Sequence, residues 1–301
     1  MKTQPWQLET GAYPFSIRFS PHYSHLDTER HVNNVAVQSF HTEARTRFHM
    51  AVLGDRAWYS DDVLLRPRRT VTHFLRETHY PHEVTAAVRL VAVEDDSYRL
   101  VQALFQSGEC VGVQECLMGA WAESGWAASG WAASGWVALP DAARRALAAE
   151  QVDGQPLLPW PELPEETETF EPGPRQVALT ARYADLDPDR RLSELAQARY
   201  LEQARAGSVT MLRQPNLGLL VARIDIRYQR WDTGMGEVAL SSELAGIGNS
   251  SFVLRGRAAV DGRPVAMAES VMVLIDRDAH RPTPVPDELR AEMAVLQPPT
   301  A

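Results

Sequence analysis

Apolar residues recur every four positions from Val32: Val32, Ala36, Phe40, Ala44 and Phe48, with Val35 alongside. That spacing draws one apolar stripe along a helix, predicted over Val32–Leu53. A short alternating run at Phe15–Phe19 precedes it and reads as a strand. Four strand-like runs follow: Thr70–Arg76, Val84–Val93, Tyr98–Gln106 and Cys110–Met118. The same order returns later in the chain. A strand at Gln176–Thr180 leads to a helix at Leu192–Leu212, then runs at Ala222–Arg230, Glu237–Ala245, Phe252–Val260 and Pro264–Ile275. Gly108 and Asp261-Gly262 fall where hairpin turns are needed. One long helix followed by an antiparallel meander is an α+β plan, with the helix buried against the sheet.

The two halves match residue by residue. At an offset of 160, Tyr23-Ser24-His25-Leu26-Asp27 answers Tyr183-Ala184-Asp185-Leu186-Asp187, and Arg30, Phe40 and Ala44-Arg45 answer Arg190, Tyr200 and Ala204-Arg205. Further on the offset settles at 154, pairing Glu83-Val84 with Glu237-Val238, Ser97 with Ser251 and Glu115 with Glu269. Collinear matches of this kind predict two copies of one domain, over residues 10–150 and 175–295. Between them, residues 151–174 are rich in proline and glutamate and read as an extended linker. Copy one also carries Trp121, Trp126, Trp131 and Trp136 at a spacing of five, without a counterpart in copy two. Two readings stand for them, a duplicated loop or strand extension and an aromatic binding patch.

Length and composition fit this plan. The 301 residues exceed one small core, and 45% hydrophobic with 23% charged residues is ordinary for a globular protein. A net charge of -9 argues against a general nucleic-acid partner. Cys110 and Cys116 lack the spacing of a zinc site or a disulfide framework. His79 and His82 lie in a proline-containing turn, so no metal is expected. No Gly-rich phosphate loop and no Gly-x-Ser-x-Gly elbow occurs. Met1–Pro14 lacks the order of a signal peptide, and no apolar run reaches the length of a membrane span, so a cytoplasmic location is the expectation.

The chemistry concentrates in Leu26-Asp27-Thr28-Glu29-Arg30-His31-Val32-Asn33-Asn34, a carboxylate, an imidazole and two carboxamides just ahead of an apolar helix. Asp-x-x-x-His-Val-Asn-Asn, followed by Phe40 and Glu43-Ala44-Arg45, resembles the 4-hydroxybenzoyl-CoA/acyl-ACP thioesterase branch of the hotdog superfamily. The resemblance spans both halves, with the motif intact in copy one and degraded in copy two. It implies two hotdog domains in tandem, each a long helix wrapped by an antiparallel sheet, acting without a metal or other cofactor on acyl-CoA or acyl carrier protein. It further implies that Asp27 is nucleophile or general base, and that the helix N-terminus polarises the thioester carbonyl.

Physical chemistry supports that arrangement. A thioester needs an attacking oxygen and a stabilised oxyanion, and the first turn of a helix leaves N–H groups unpaired. Residues 31–35 would supply them, so Val32, Asn34 and Val35 are candidate oxyanion or substrate contacts. Asp27, His31, Asn33 and Glu43 are the candidate catalytic groups. Each has a second reading: a loop or cap for Asp27, packing for His31, a helix cap for Asn33 or Asn34, and an ion pair for Glu43, which faces Gln203 in copy two. Arg66, Arg68 and Arg69 form a basic cluster suited to coenzyme A phosphates, or else a solvated strand edge. In copy two His31 becomes Arg191 and Asn33-Asn34 becomes Ser193-Glu194. An arginine cannot serve as a neutral imidazole, so copy two is expected to be a structural partner. Alternatives to hydrolysis are a non-hydrolytic acyl-thioester binder and a hotdog enoyl-thioester hydratase or dehydratase. Fusion would supply in one chain the pairing that single hotdogs obtain by dimerising, and it leaves room for a further homodimer.

Overall fold

The computed structural model describes residues 3–54, 64–122, 125–127, 130–132, 134–155, 159–160, 162, 169–209, 216–231, 233–279 and 281–297. The chain divides into two compact units, residues 1–164 and 165–301.

In the first unit β1 (Phe15–Phe19) is followed by α1 (Asn34–Leu53), then β2 (Leu64–Phe74), β3 (Val84–Val93), β4 (Ser97–Gln106) and β5 (Glu109–Ala122). These strands form an antiparallel sheet in the order β1-β3-β4-β5-β2. In the second unit β9 (Arg175–Thr180) precedes α3 (Glu194–Val209), and β10 (Leu217–Tyr228), β11 (Glu237–Ile247), β12 (Ser251–Val260) and β13 (Arg263–Asp276) follow, in the sheet order β9-β11-β12-β13-β10. Both β4–β5 and β12–β13 turn through two residues with positive φ: Ser107 (54°) and Gly108 (83°), Asp261 (49°) and Gly262 (76°). That is the turn whose twist matches paired strands.

The apolar stripe lies where its period puts it. Phe40, Ala44 and Phe48 are buried among Val84, Val88, Leu90, Leu100 and Met118, with Phe48 edge-on to Phe15 at 5.6 Å. Several elements differ from the sequence expectation. The helix of the first unit begins two residues later than Val32 because Asn33 caps it. The strand β2 starts at Leu64, so the three arginines lie within it. Short helices α2 (Asp141–Ala149) and α4 (Asp287–Met293) close the units, each started by the repeated Pro-Asp pair. The tryptophan repeat forms strand extensions: β6 (Gly125–Ala127) pairs with β7 (Gly130–Ala132), and β8 (Gly135–Val137) pairs with β5. Trp121 and Trp136 are opposite each other with rings edge-on at 5.1 Å. The side chains of Trp126 and Trp131 lie outside the described residues. So do Pro156, Pro161 and Pro164 of the predicted linker.

A second face of α1 is buried and polar. Gln38, His41, Arg45 and His49 are all buried. Across the sheet, Gln102, Gln114 and Thr72 form one row over three strands, and Leu100, Cys116 and Thr70 form the next. Gln102 Nε2 donates to the His41 carbonyl at 2.6 Å, Gln114 Nε2 donates to Thr72 Oγ1 at 2.9 Å, and the Tyr98 hydroxyl meets His49 Nε2 at 2.8 Å. Burial, with the Arg45 cation adding to it, pushes His41 and His49 down from 6.5 to about 3.

Both histidines are therefore neutral in the folded chain, while in the unfolded chain each titrates near 6.5. Their contribution to stability is constant above about pH 6.5 and falls as the pH drops from there towards 3, because only the unfolded chain takes up the protons. His41→Leu, which installs the residue found at Leu201 in copy two, removes one such group. Denaturant unfolding at pH 7 and pH 5 should show the variant gaining about 2 kcal/mol on the wild type over that interval. Equal pH slopes would contradict this account.

Candidate functional site

Residues 26–34 fold as a tight hairpin docked on the start of α1. Leu26 and Val32 bridge antiparallel, Asp27 N donates to the His31 carbonyl at 2.9 Å, and Arg30 takes a left-handed conformation at φ 68°. Asp27 Oδ1 closes the turn by accepting from Glu29 N at 2.9 Å and His31 N at 3.1 Å. This is an aspartate turn, which a short carboxylate forms by replacing a backbone carbonyl. Asp27 is half-buried. Its Oδ1 is fixed, and Oδ2 has no hydrogen bond among the described residues.

The second unit repeats the turn. Asp187 Oδ1 accepts from Asp189 N at 3.0 Å and Arg191 N at 3.1 Å, and Arg190 sits at φ 61°. The position of His25 is taken by Asp185, which is bonded by Arg182 and by the Tyr200 hydroxyl at 2.9 Å. Those contacts hold its carboxyl below the usual range against the opposing effect of burial, the largest single influence.

Asn33, not Asn34, is the helix cap: its Oδ1 accepts from Val35 N at 2.7 Å and Ala36 N at 3.4 Å. Ser193 does the same for Ala196 N at 3.1 Å in copy two. The amides of residues 31–35 are mostly committed. His31 N donates to Asp27 Oδ1, Val32 N to the Thr78 carbonyl at 2.9 Å and Asn33 N to the His25 carbonyl at 2.8 Å, and Val35 N to Asn33. Among the described residues Asn34 N is left without an acceptor. The expectation that Val32 and Val35 present N–H groups to a ligand is corrected accordingly.

The structure adds a group that local sequence could not place. His31 Nε2 lies 3.3 Å from Glu77 Oε2, and its ring meets that of His79 edge-on at 5.8 Å. Glu77 follows β2, and the Val32–Thr78 bond brings its segment to the motif. An open cavity of about 430 Å³ adjoins it, lined by Glu77, His79, Gln106 and Ser107 among others. Glu77 lies 46 residues from His31, so only strand pairing could have found it.

Glu43 is not brought to this cluster. It is exposed and pairs with Arg47 at 2.7 Å, one turn on. The arginines do not form a free cluster either. Arg68 sits at a β-bulge, binds Asp96 at 3.0 Å and lies 4.7 Å over the Trp136 ring, while Arg69 stacks on Trp160 at 5.0 Å. Arg66 lies half-buried on the same strand.

If Asn33 acts as a cap, Asn33→Ala should lower stability by about 1 kcal/mol. Asn33→Ser, the solution used in copy two, should restore most of it. Denaturant melts of the three proteins check this, and an alanine variant as stable as wild type would remove the capping role.

Residues 183–293 match the family model of the Thioesterase-like superfamily. No curated protein matches the chain. Among solved structures, the 12:0-ACP thioesterase from Umbellularia californica superposes with a TM-score of 0.70 at 16% identity, over 87% of this chain and 94% of its own. A putative oleoyl thioesterase from Lactobacillus plantarum gives 0.67 at 14%, over 87% and 97%. An acyl-ACP thioesterase from Bacteroides thetaiotaomicron gives 0.60 at 12%, over 86% and 97%. By sequence, then, residues 183–293 are similar to the Thioesterase-like superfamily, and the fold of most of the chain is similar to that of these acyl-ACP and putative oleoyl thioesterases.

Proposed function

We propose that the chain is a tandem hotdog hydrolase of acyl thioesters, carried by CoA or by an acyl carrier protein, with its working site in the first repeat. One observation carries the reading. Asp27 is locked through Oδ1 by two backbone amides and offers Oδ2, without a hydrogen-bond partner among the described residues, beside the opening turn of α1. A carboxylate so fixed is aimed without further ordering, as attacking oxygen or as base for a water. The Asn34 amide, at the positive end of the helix, is the candidate donor to the oxyanion. His31, oriented by Glu77, is placed to meet substrate or water. Copy two keeps the turn and lacks the imidazole, so it serves as the structural partner.

The binder reading has an observation in its favour. Asp187 makes the same two bonds at nearly the same lengths, so the turn alone explains retention of both aspartates. Asp27→Asn separates the two, since the amide oxygen of asparagine still closes the turn while the carboxylate is lost.

Thiol release from a panel of acyl-CoA thioesters should fall at least ~100-fold in Asp27→Asn, with melting unchanged. Asp187→Asn should stay within about threefold of wild type. Hydrolysis unaffected by Asp27→Asn, or the two variants reversed, would overturn the assignment.

A further inference from the structure

We propose that the polar face of α1 in the first repeat selects the acyl group, and that it takes a chain bearing a hydroxyl in preference to a plain hydrocarbon; this rests on the thioester reading of the Asp27 site. Asn34, Gln38, His41, Arg45 and His49 follow one another at helical spacing on that face. His41 is seven positions from Asn34, about 10 Å along the axis. That separation is within the length of a medium acyl chain whose carbonyl is held at Asn34.

At the positions of Gln38, His41 and His49 the second repeat carries Ala198, Leu201 and Val209, although Glu194, Gln197 and Arg205 keep polar groups buried on the same helix. Its sheet pairs in the same register, with Ala268 opposite both Ile226 and Gly256, and Ser270 opposite Ile224 and Leu254. At the matching positions the first repeat has Gln114, Thr72 and Gln102, then Cys116, Thr70 and Leu100. On the helices His41 answers Leu201 and His49 answers Val209, while Tyr98 answers Phe252. Leu201 Cδ2 lies 3.6 Å from where a Cβ on Gly256 would stand, so apolar packing fills the place where the first repeat has His41 and Gln102. The fold therefore does not require the polar set. Arg45 and Arg205 are the charged pair kept in both.

Part of the polar set is also unsatisfied among the described residues. Both ring nitrogens of His41, Oε1 of Gln102 and Oγ1 of Thr70 are buried with no hydrogen-bond partner among the described residues. Buried polar groups of this kind are normally paired, and each exception calls for an explanation. A neutral imidazole offers one donor and one acceptor, and a carboxamide oxygen accepts. A hydroxyl gives and takes one hydrogen bond, which matches both. A keto group only accepts, and an alkyl chain leaves all of them bare.

The test compares hydrolysis of matched medium-chain acyl-CoA pairs, with and without a hydroxyl along the chain, by the full-length protein and by His41→Leu and Gln102→Gly. Calorimetry with the corresponding free hydroxy acids and plain acids reads binding without turnover. We expect wild type to favour a hydroxylated member by at least about tenfold in kcat/KM, and either variant to lose most of that preference. Equal use of both members by wild type, or a preference that survives both substitutions, overturns the proposal. If no thioester is cleaved but a hydroxy acid binds and His41→Leu weakens it, the selecting surface stands and the hydrolase reading falls. Absence of both cleavage and binding overturns it.

Discussion

A single side-chain oxygen seats the beginning of each long helix. In both repeats an aspartate, Asp27 or Asp187, takes two backbone amides into one carboxylate oxygen and turns the chain back on itself within five residues. The turn forces a left-handed arginine at its tip, and it places the capping residue, Asn33 or Ser193, at the entrance of the helix. Everything assigned to the site depends on that constraint. It fixes where the second carboxylate oxygen stands, which amides remain, and how His31 comes to face Glu77 across the loop after β2.

The repeats share a scaffold and differ in what it encloses. Strand registers, hairpin turns, the aspartate turn and a buried arginine on the central helix are common to both. In the first repeat Arg45 contacts Gln114 and Cys116; in the second Arg205 contacts Ser270 and Glu202. A buried guanidinium tolerates such different surroundings because its five donors can be met in several ways. The imidazoles of His41 and His49 and the sheet carboxamides Gln102 and Gln114 are replaced by Leu201, Val209, Gly256 and Ala268 in the second repeat. The aspartate turn serves folding in both units, so Asp27 is set apart from Asp187 by its surroundings, chiefly His31 and Glu77, and not by the turn itself.

Much of this was legible in the chain itself. The four-residue apolar spacing from Val32 to Phe48 announced the helix, because a buried face must recur at the helical period. The doubled Tyr-x-x-Leu-Asp pointed to one element order occurring twice, and both units have that order. The sequence could not show that Asn33 would take the cap, since asparagine suits either position and the choice depends on where the hairpin ends. It could not show that β2 would begin at Leu64 and carry Arg68 and Arg69 onto tryptophan rings, because stacking partners lie far away in sequence. Glu77 escaped for the same reason. The polar face of α1 was in view as Gln38, His41, Arg45 and His49, yet on a helix the same letters describe a solvated surface. Only the sheet laid over them makes their burial, and hence their cost, apparent.

The central claim concerns the position of one oxygen relative to one carbonyl. A crystal structure of the protein with a non-cleavable ketone analogue of an acyl-CoA tests it directly. The account predicts the analogue's carbonyl carbon within about 3.5 Å of Asp27 Oδ2 and its oxygen accepting from the Asn34 amide. A carbonyl bound beside Asp187, or remote from both aspartates, would contradict it.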